Sequence, residues 1–199
     1  MLEDKPLWKQ LVEQQYNRFK PRLDYMVEKY GEEFTMTEYG TVFSVEHPDW
    51  VPGISYNSTT GLFEDNYVFR LKRDELESIM MDIAEPIWGE CKIYLDESPY
   101  TSLGADSTAE ELLSKAKSSY MLYVVQTNFG NDEALLKTFL ERILAERYQV
   151  STIIALFAEH DVFGDIQRPV PTSNFEHDRC VYWIKASLRN GVYKLSIRR

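Results

Sequence analysis

Tyr25-Met26-Val27-Glu28-Lys29-Tyr30-Gly31-Glu32-Glu33-Phe34 is the stretch on which the fold turns. Apolar residues at Leu7, Leu11, Tyr16, Phe19, Leu23, Val27 and Tyr30 step mostly by three and four, which predicts a helix from Leu7 to Tyr30. Gly31 ends it, because glycine takes the left-handed conformation past a helix without a Cβ penalty. Pro6 suits the helix start. Pro21 lies inside and predicts a kink or split near Phe19.

Downstream the period changes. Phe34–Tyr39, Thr41–His47 and Ile54–Ser58 read as strands, and Asn57–Gly61 reads as a loop. Asp65-Asn66 precedes a second helix over Tyr67–Ile87, with Leu71, Leu76, Ile79, Met80, Ile83 and Ile87 on one face. A short strand over Cys91–Leu95 follows. Residues 96–106, with Pro99 and Gly104, read as a connecting segment. Ser107 and Glu110 form a capping box for a short helix. Tyr120–Gln126 is β-rich. A helix capped by Asn131 or Asp132 runs to Tyr148, and Val150–Phe157 reads as a buried strand. A loop over Phe163–Asn174 leads to a terminal hairpin, turned at Asn190-Gly191 between Cys180–Leu188 and Val192–Ile197.

Strands and helices come in mixed runs, which favours α+β over a doubly wound parallel sheet. The expected architecture is an N-terminal helix packed on an antiparallel sheet, then a second α/β lobe ending in a β-hairpin. The expected division is 1–95 for the first lobe, 96–106 for the connection and 107–199 for the second lobe.

The bulk numbers narrow the function classes. Of 199 residues, 44% are hydrophobic and 14% aromatic, enough for a packed core. The 32 acidic residues outnumber the 22 basic ones, for a net charge of −10. No basic stripe is present, so nucleic acid is not an expected partner. An acidic surface suits solubility, a basic protein partner or loose cation binding. No apolar window is long enough for a transmembrane segment. Met1–Lys5 is charged and has no apolar core of a signal peptide. As written the chain reads as cytoplasmic; with a leader removed it would read as a cell-envelope protein. Cys91 and Cys180 each open an apolar run, and a disulfide would require those strands to meet. Burial as thiols is the other reading.

Three pieces carry a family resemblance: Tyr25-x-x-Glu28-Lys29-Tyr30-Gly31-x-x-Phe34, then Glu46-His47-Pro48-Asp49 with Ile54-Ser55-Tyr56, then Asp65-Asn66-Tyr67 opening a helix. Together they resemble a group of small proteins of Gram-positive bacteria, many of them lipoproteins or membrane-anchored, with a "KYGEEF"-like helix end and a "DNY" helix start. The resemblance spans about Asp24 to Leu95, with a looser echo to Phe157. It implies a cystatin-like lobe, a helix on a curved antiparallel sheet. It brings no activity and no catalytic residues. The chain departs from the group in having no lipid-attachment cysteine near its start.

Candidate chemistry is sparse. The histidines sit in Glu46-His47-Pro48-Asp49, Glu159-His160-Asp161 and Glu176-His177-Asp178, and imidazole beside carboxylate can bind a transition metal. No metal is expected; the nearest candidates are His160, His177, Asp161 and Asp178, should the two histidines meet. No HExxH or CxxC spacing accompanies them. No nucleophile elbow is present, and Cys180, three residues after His177, reads as a buried inert thiol. No glycine-rich nucleotide motif occurs, so no cofactor is expected. Trp50, Tyr56, Phe63 and Tyr67 would form an interaction patch if exposed, and core if not.

The functional expectation is a non-enzymatic binding or protein-interaction module, placed at the cell envelope by the resemblance. The alternative is a cytoplasmic acidic inhibitor or immunity-type protein masking a basic partner. A metal-dependent hydrolase ranks third.

Overall fold

A computed structural model describes residues 6–97, 99–125, 129–166 and 180–198. The fold is α+β, and the chain forms two compact units. The first is Met1–Leu71 with Tyr100–Asp106; the second is Lys72–Pro99 with Ser107–Arg199.

In the first unit α1 (Leu7–Tyr30) runs on through Pro21 without a break. It ends as the sequence predicts: Gly31 has φ 69° and its N–H donates to the carbonyl of Val27. The apolar side chains of the early turns, Leu7, Trp8, Leu11, Val12 and Tyr16, are exposed. Burial starts in the later turns, where Met26 packs with Phe34, Val42 and Tyr67. The strands are shorter than the sequence suggests. β1 (Phe34–Met36) pairs antiparallel with β2 (Val42–Ser44), and β3 (Ile54–Asn57) pairs antiparallel with β4 (Leu62–Asp65). These are two separate two-stranded sheets, not the single curved sheet that the resemblance implies. The sequence pattern does not reveal β4, because Leu62–Asp65 has no strict alternation; pairing across the Asn57–Gly61 turn defines it.

The expected helix over Tyr67–Ile87 is two helices, α2 (Tyr67–Leu71) and α3 (Arg73–Trp88). The break is at Lys72, with φ −102° and ψ 10°, and the compact units divide there. Hydrophobic periodicity continues across the break, so the pattern alone could not reveal it.

The second unit is built on one five-stranded sheet in the order β5-β6-β7-β8-β9. These strands are β5 (Cys91–Glu97), β6 (Ser118–Val125), β7 (Val150–Ala158), β8 (Tyr182–Arg189) and β9 (Val192–Arg198). Only β6 and β7 are parallel, joined through α5 (Phe129–Ala145); the other pairs are antiparallel. Antiparallel neighbours can be joined by a tight turn, whereas a parallel pair needs a crossover. The β8–β9 turn has positive φ at both Asn190 (53°) and Gly191 (76°), as a type I′ hairpin requires.

Seven successive residues of β6 are buried, which marks a strand covered on both faces. On one face Met121, Tyr123, Leu156 and Ala158 pack with Phe163 and Ile166 near α6 (His160–Asp165). On the other, Phe157 stacks on Tyr182 at 4.5 Å and meets Trp88 of α3 edge-on. Glu77 of α3, buried, accepts the N–H of Leu95 at 2.9 Å, pinning β5 to the helix. The capping residue of α4 (Ala109–Lys115) is Thr108, which accepts from the N–H of Glu111, one residue on from the expected Ser107–Glu110 box. Asp132 lies inside the first turn of α5, buried, and accepts a hydrogen bond from the Tyr182 hydroxyl.

Two expected boundaries therefore shift. β5 joins the five-stranded sheet through β6, so it does not close the first lobe. Within 96–106, Tyr100–Asp106 belongs to the first unit, because Thr101 bridges to Asp65 through hydrogen bonds of 2.8 and 3.1 Å. Cys91 lies on β5 at the sheet edge and Cys180 just before β8, with β6 and β7 between these strands; no disulfide joins them.

Phe157→Ala is expected to destabilise the second unit by about 3–5 kcal/mol, through lost burial and the cavity left beside Tyr182 and Trp88. The shift in the urea midpoint measures it.

Candidate functional site

Tyr25, Lys29 and Tyr30 lie on the last turns of α1, and Tyr25 and Lys29 share a face by their spacing of four. All three converge on Asp65, the last residue of β4, which is wholly buried. The hydroxyls of Tyr25 and Tyr30 and the ammonium of Lys29 each donate to its carboxylate at 2.6 Å. The N–H of Tyr67 adds a fourth bond at 2.8 Å, so Asp65 also starts α2. A carboxylate offers about four acceptor positions, and these donors fill them. Lys29 is saturated too: besides Asp65 it donates to the Tyr25 hydroxyl at 2.9 Å and to the Thr101 carbonyl at 3.2 Å. Burial, reinforced by Asp65, pushes both phenols well above the ordinary tyrosine value, so both stay protonated donors.

The neighbouring motif residues are tied in the same way. Asn66 accepts from the N–H of Gly53 at 2.8 Å and donates its own N–H to the Gly53 carbonyl at 3.3 Å. The Tyr67 hydroxyl donates to Glu32. Each residue of Asp65-Asn66-Tyr67 thus fastens a different segment, and the "DNY" pattern is a structural one.

Outside this network lies an open groove of about 720 Å³. Its floor is Tyr25 and Phe63, with ring centroids 5.5 Å apart. Asp24 and Glu28 of α1 line it with carboxylates, and Leu62, 59% exposed, contributes an apolar side chain. Tyr56, 57% exposed, meets the Phe63 ring at 5.3 Å. Also in this unit, Glu32, Glu46 and His47 each offer a ligand atom, all within 4.8 Å of one another.

The four aromatics expected as one patch separate. Tyr67 is wholly buried against Tyr30, Phe34 and Trp50, so it belongs to the core. Trp50, half-buried, stacks on it at 5.6 Å. Tyr56 and Phe63 form the other pair, beside the groove. His160 and Asp161 are exposed on the first turn of α6, while His177 and Asp178 lie outside the described residues. Burial pushes the Cys91 thiol up to about 11, which keeps it unreactive near neutrality. Sequence reasoning missed Asp24, Glu28, Leu62 and Glu32. Asp24 and Glu28 look like ordinary solvated acids until the β3–β4 hairpin comes beside α1, and Glu32 does until Tyr67 and the turn after β2 come beside it.

No protein-family model matches the chain, and no curated protein matches it. A DUF5037 family protein from Ruminococcus gnavus ATCC 29149, known from a crystal structure, is similar at a TM-score of 0.43 and 15% identity, over 86% of this chain and 92% of that one. A likeness of that degree carries no argument here. The lipoprotein and cystatin-like kinship expected from the sequence finds no support in these comparisons. Among the described residues, no helix is long and apolar enough to cross a membrane.

Asp65→Ala leaves the Lys29 ammonium, 10% exposed, without its counter-charge, and is expected to cost about 3–5 kcal/mol in urea denaturation. The raised phenols of Tyr25 and Tyr30 also fix the sign of a pH effect. Their folded values lie above the ordinary 10.0, so their contribution is complete below about pH 10 and is lost as pH rises beyond it. An alkaline titration followed by phenolate absorbance should show a class of tyrosines that ionise only with loss of structure.

Proposed function

We propose that the chain is a non-enzymatic interaction module whose first unit takes a basic segment of a protein partner. The observation that carries this reading is the groove beside α1. Its aromatic floor of Tyr25 and Phe63 suits the aliphatic stem of a lysine or arginine. Its carboxylates, Asp24 and Glu28, suit the cationic head, and a cation over the rings gains a further attraction. Asp24 pairs with Lys20 at 2.6 Å, but both side chains are about half exposed. So exposed a pair adds little to stability, and an incoming cation displaces it readily. The one lysine lining the groove, Lys29, has its donors committed to Asp65, Tyr25 and Thr101. The charge left facing the groove is therefore negative. A net charge of −10 adds long-range steering of a basic partner.

The same logic supports binding rather than catalysis. The polar groups behind the groove are held in a closed network, with their bonding capacity spent on the fold. An inhibitor that masks a basic partner is one form such a module takes.

The test uses a fluorescent lysine- and arginine-rich peptide and an acidic peptide of equal length, followed by anisotropy. The basic peptide should bind, with an affinity that falls as salt rises. Glu28→Lys and Leu62→Ala, both at exposed positions, should each weaken it by about 5-fold or more, as expected of contacts worth ~1 kcal/mol. Glu75→Lys on α3, a residue that does not line the groove, should leave it nearly unchanged. Equal weakening by Glu75→Lys would mean that net charge alone is read, and would sink the groove as the site.

A further inference from the structure

Glu32, Glu46 and His47 come from two separate segments and meet on the first unit. We propose that they form a binding site for one divalent transition metal, with zinc preferred over magnesium.

The local structure is built to present them. Gly31 ends α1 and lets the chain turn, so Glu32 lies between the helix and β1. Ser44, wholly buried at the end of β2, accepts the N–H groups of both Glu46 and His47, at 3.1 and 3.2 Å. One hydroxyl thereby folds the turn that carries two of the ligands. The Val45 N–H bonds to the Glu33 carbonyl at 2.9 Å and brings that turn beside Glu32. The Trp50 N–H closes onto the His47 carbonyl at 3.3 Å.

A buried outer partner orients the third ligand. The Tyr67 hydroxyl donates to Oε1 of Glu32, which holds the carboxylate and leaves Oε2 for another bond. Metal-binding side chains are commonly held by second hydrogen bonds of this kind.

The charge balance points the same way. Among the described residues, no ion pair reaches Glu32 or Glu46, although the two carboxylates lie within 4.8 Å of each other and of the imidazole. Like charges at that distance repel, and a bound cation relieves them. The donor set selects the ion. Magnesium and calcium take oxygen ligands, whereas an imidazole with carboxylates suits zinc and its neighbours. Tetrahedral zinc bonds of about 2.0–2.2 Å place two ligands roughly 3.5 Å apart, so side-chain rotations draw the three atoms in from separations of up to 4.8 Å. Three protein ligands leave a fourth position open to water or an anion. Of the three Glu-His pairs in the sequence, Glu46-His47 is the one that a ligand from another segment joins among the described residues.

The test is calorimetric titration of the full, chelator-stripped chain with zinc chloride and separately with magnesium chloride. One zinc per chain should bind with micromolar affinity, with no comparable heat from magnesium. His47→Ala and Glu46→Gln should each weaken zinc by about 10-fold or more. Glu46 is exposed and His47 half-buried, so both variants should keep the parent's metal-free Tm. Zinc should raise the Tm of the parent and not of the variants. It should also change the emission of Trp50, which stacks on Tyr67. The proposal fails if zinc does not bind, or if it binds as tightly to His47→Ala and Glu46→Gln. It fails equally if binding survives in those variants and is lost in a His160→Ala, His177→Ala double variant, because the metal then sits elsewhere.

Discussion

The buried pair of Lys29 and Asp65 is the constraint on which the first unit depends. Its ammonium and carboxylate meet at 2.6 Å with almost no access to solvent. Removing two charges from water is costly, and their attraction offsets that cost only when every remaining donor and acceptor is satisfied. Here the two tyrosine hydroxyls, the Tyr67 N–H and the Thr101 carbonyl complete the set. The geometry tolerates few alternatives. Slipping α1 by one residue would swing Tyr25 and Lys29 together away from Asp65, and would leave that carboxylate buried without its counter-charge.

That requirement accounts for how so small a unit holds together. Its sheets have two strands each, and isolated two-stranded sheets are marginal in water. Its apolar core is modest, centred on Met26, Phe34, Val42 and Tyr67. The polar network supplies what the strands do not: it joins α1, β4, α2 and the returning segment around Thr101 at one carboxylate. Stability and the shape of the groove are thus coupled. Tyr25 belongs to the network through its hydroxyl and floors the groove with its ring. Tyr67 belongs to the core with its ring and orients Glu32 with its hydroxyl.

The second unit rests on the opposite principle. Its central strands are buried on both faces, and helices α3 and α5 cover one of them through contacts such as Trp88 and Tyr182 with Phe157 and Asp132. Hydrophobic burial is non-directional and tolerant of detail, which suits a sheet that mixes parallel and antiparallel pairs. The few buried polar side chains act locally, as Glu77 does for the N–H of Leu95.

The sequence by itself determined the local events. Gly31 ends α1, Asn190-Gly191 turns the last hairpin, and the mixed order of elements makes the fold α+β, each decided by φ preference or periodicity within a few residues. It also held the pieces of the network, as the helix-end and Asp65-Asn66-Tyr67 patterns, without showing that they meet. Only the tertiary structure decided that Lys72 breaks a continuous apolar stripe, that β5 belongs to the five-stranded sheet, and that Thr101 returns to the first unit. It alone sorted the aromatics into the core pair Trp50 and Tyr67 and the groove pair Tyr56 and Phe63, and set Glu32 beside Glu46 and His47. The reason is physical. Helix ends and turns are settled by a residue's own backbone, whereas burial, strand partners and clusters of charge depend on groups tens of residues away, brought together by the folded chain.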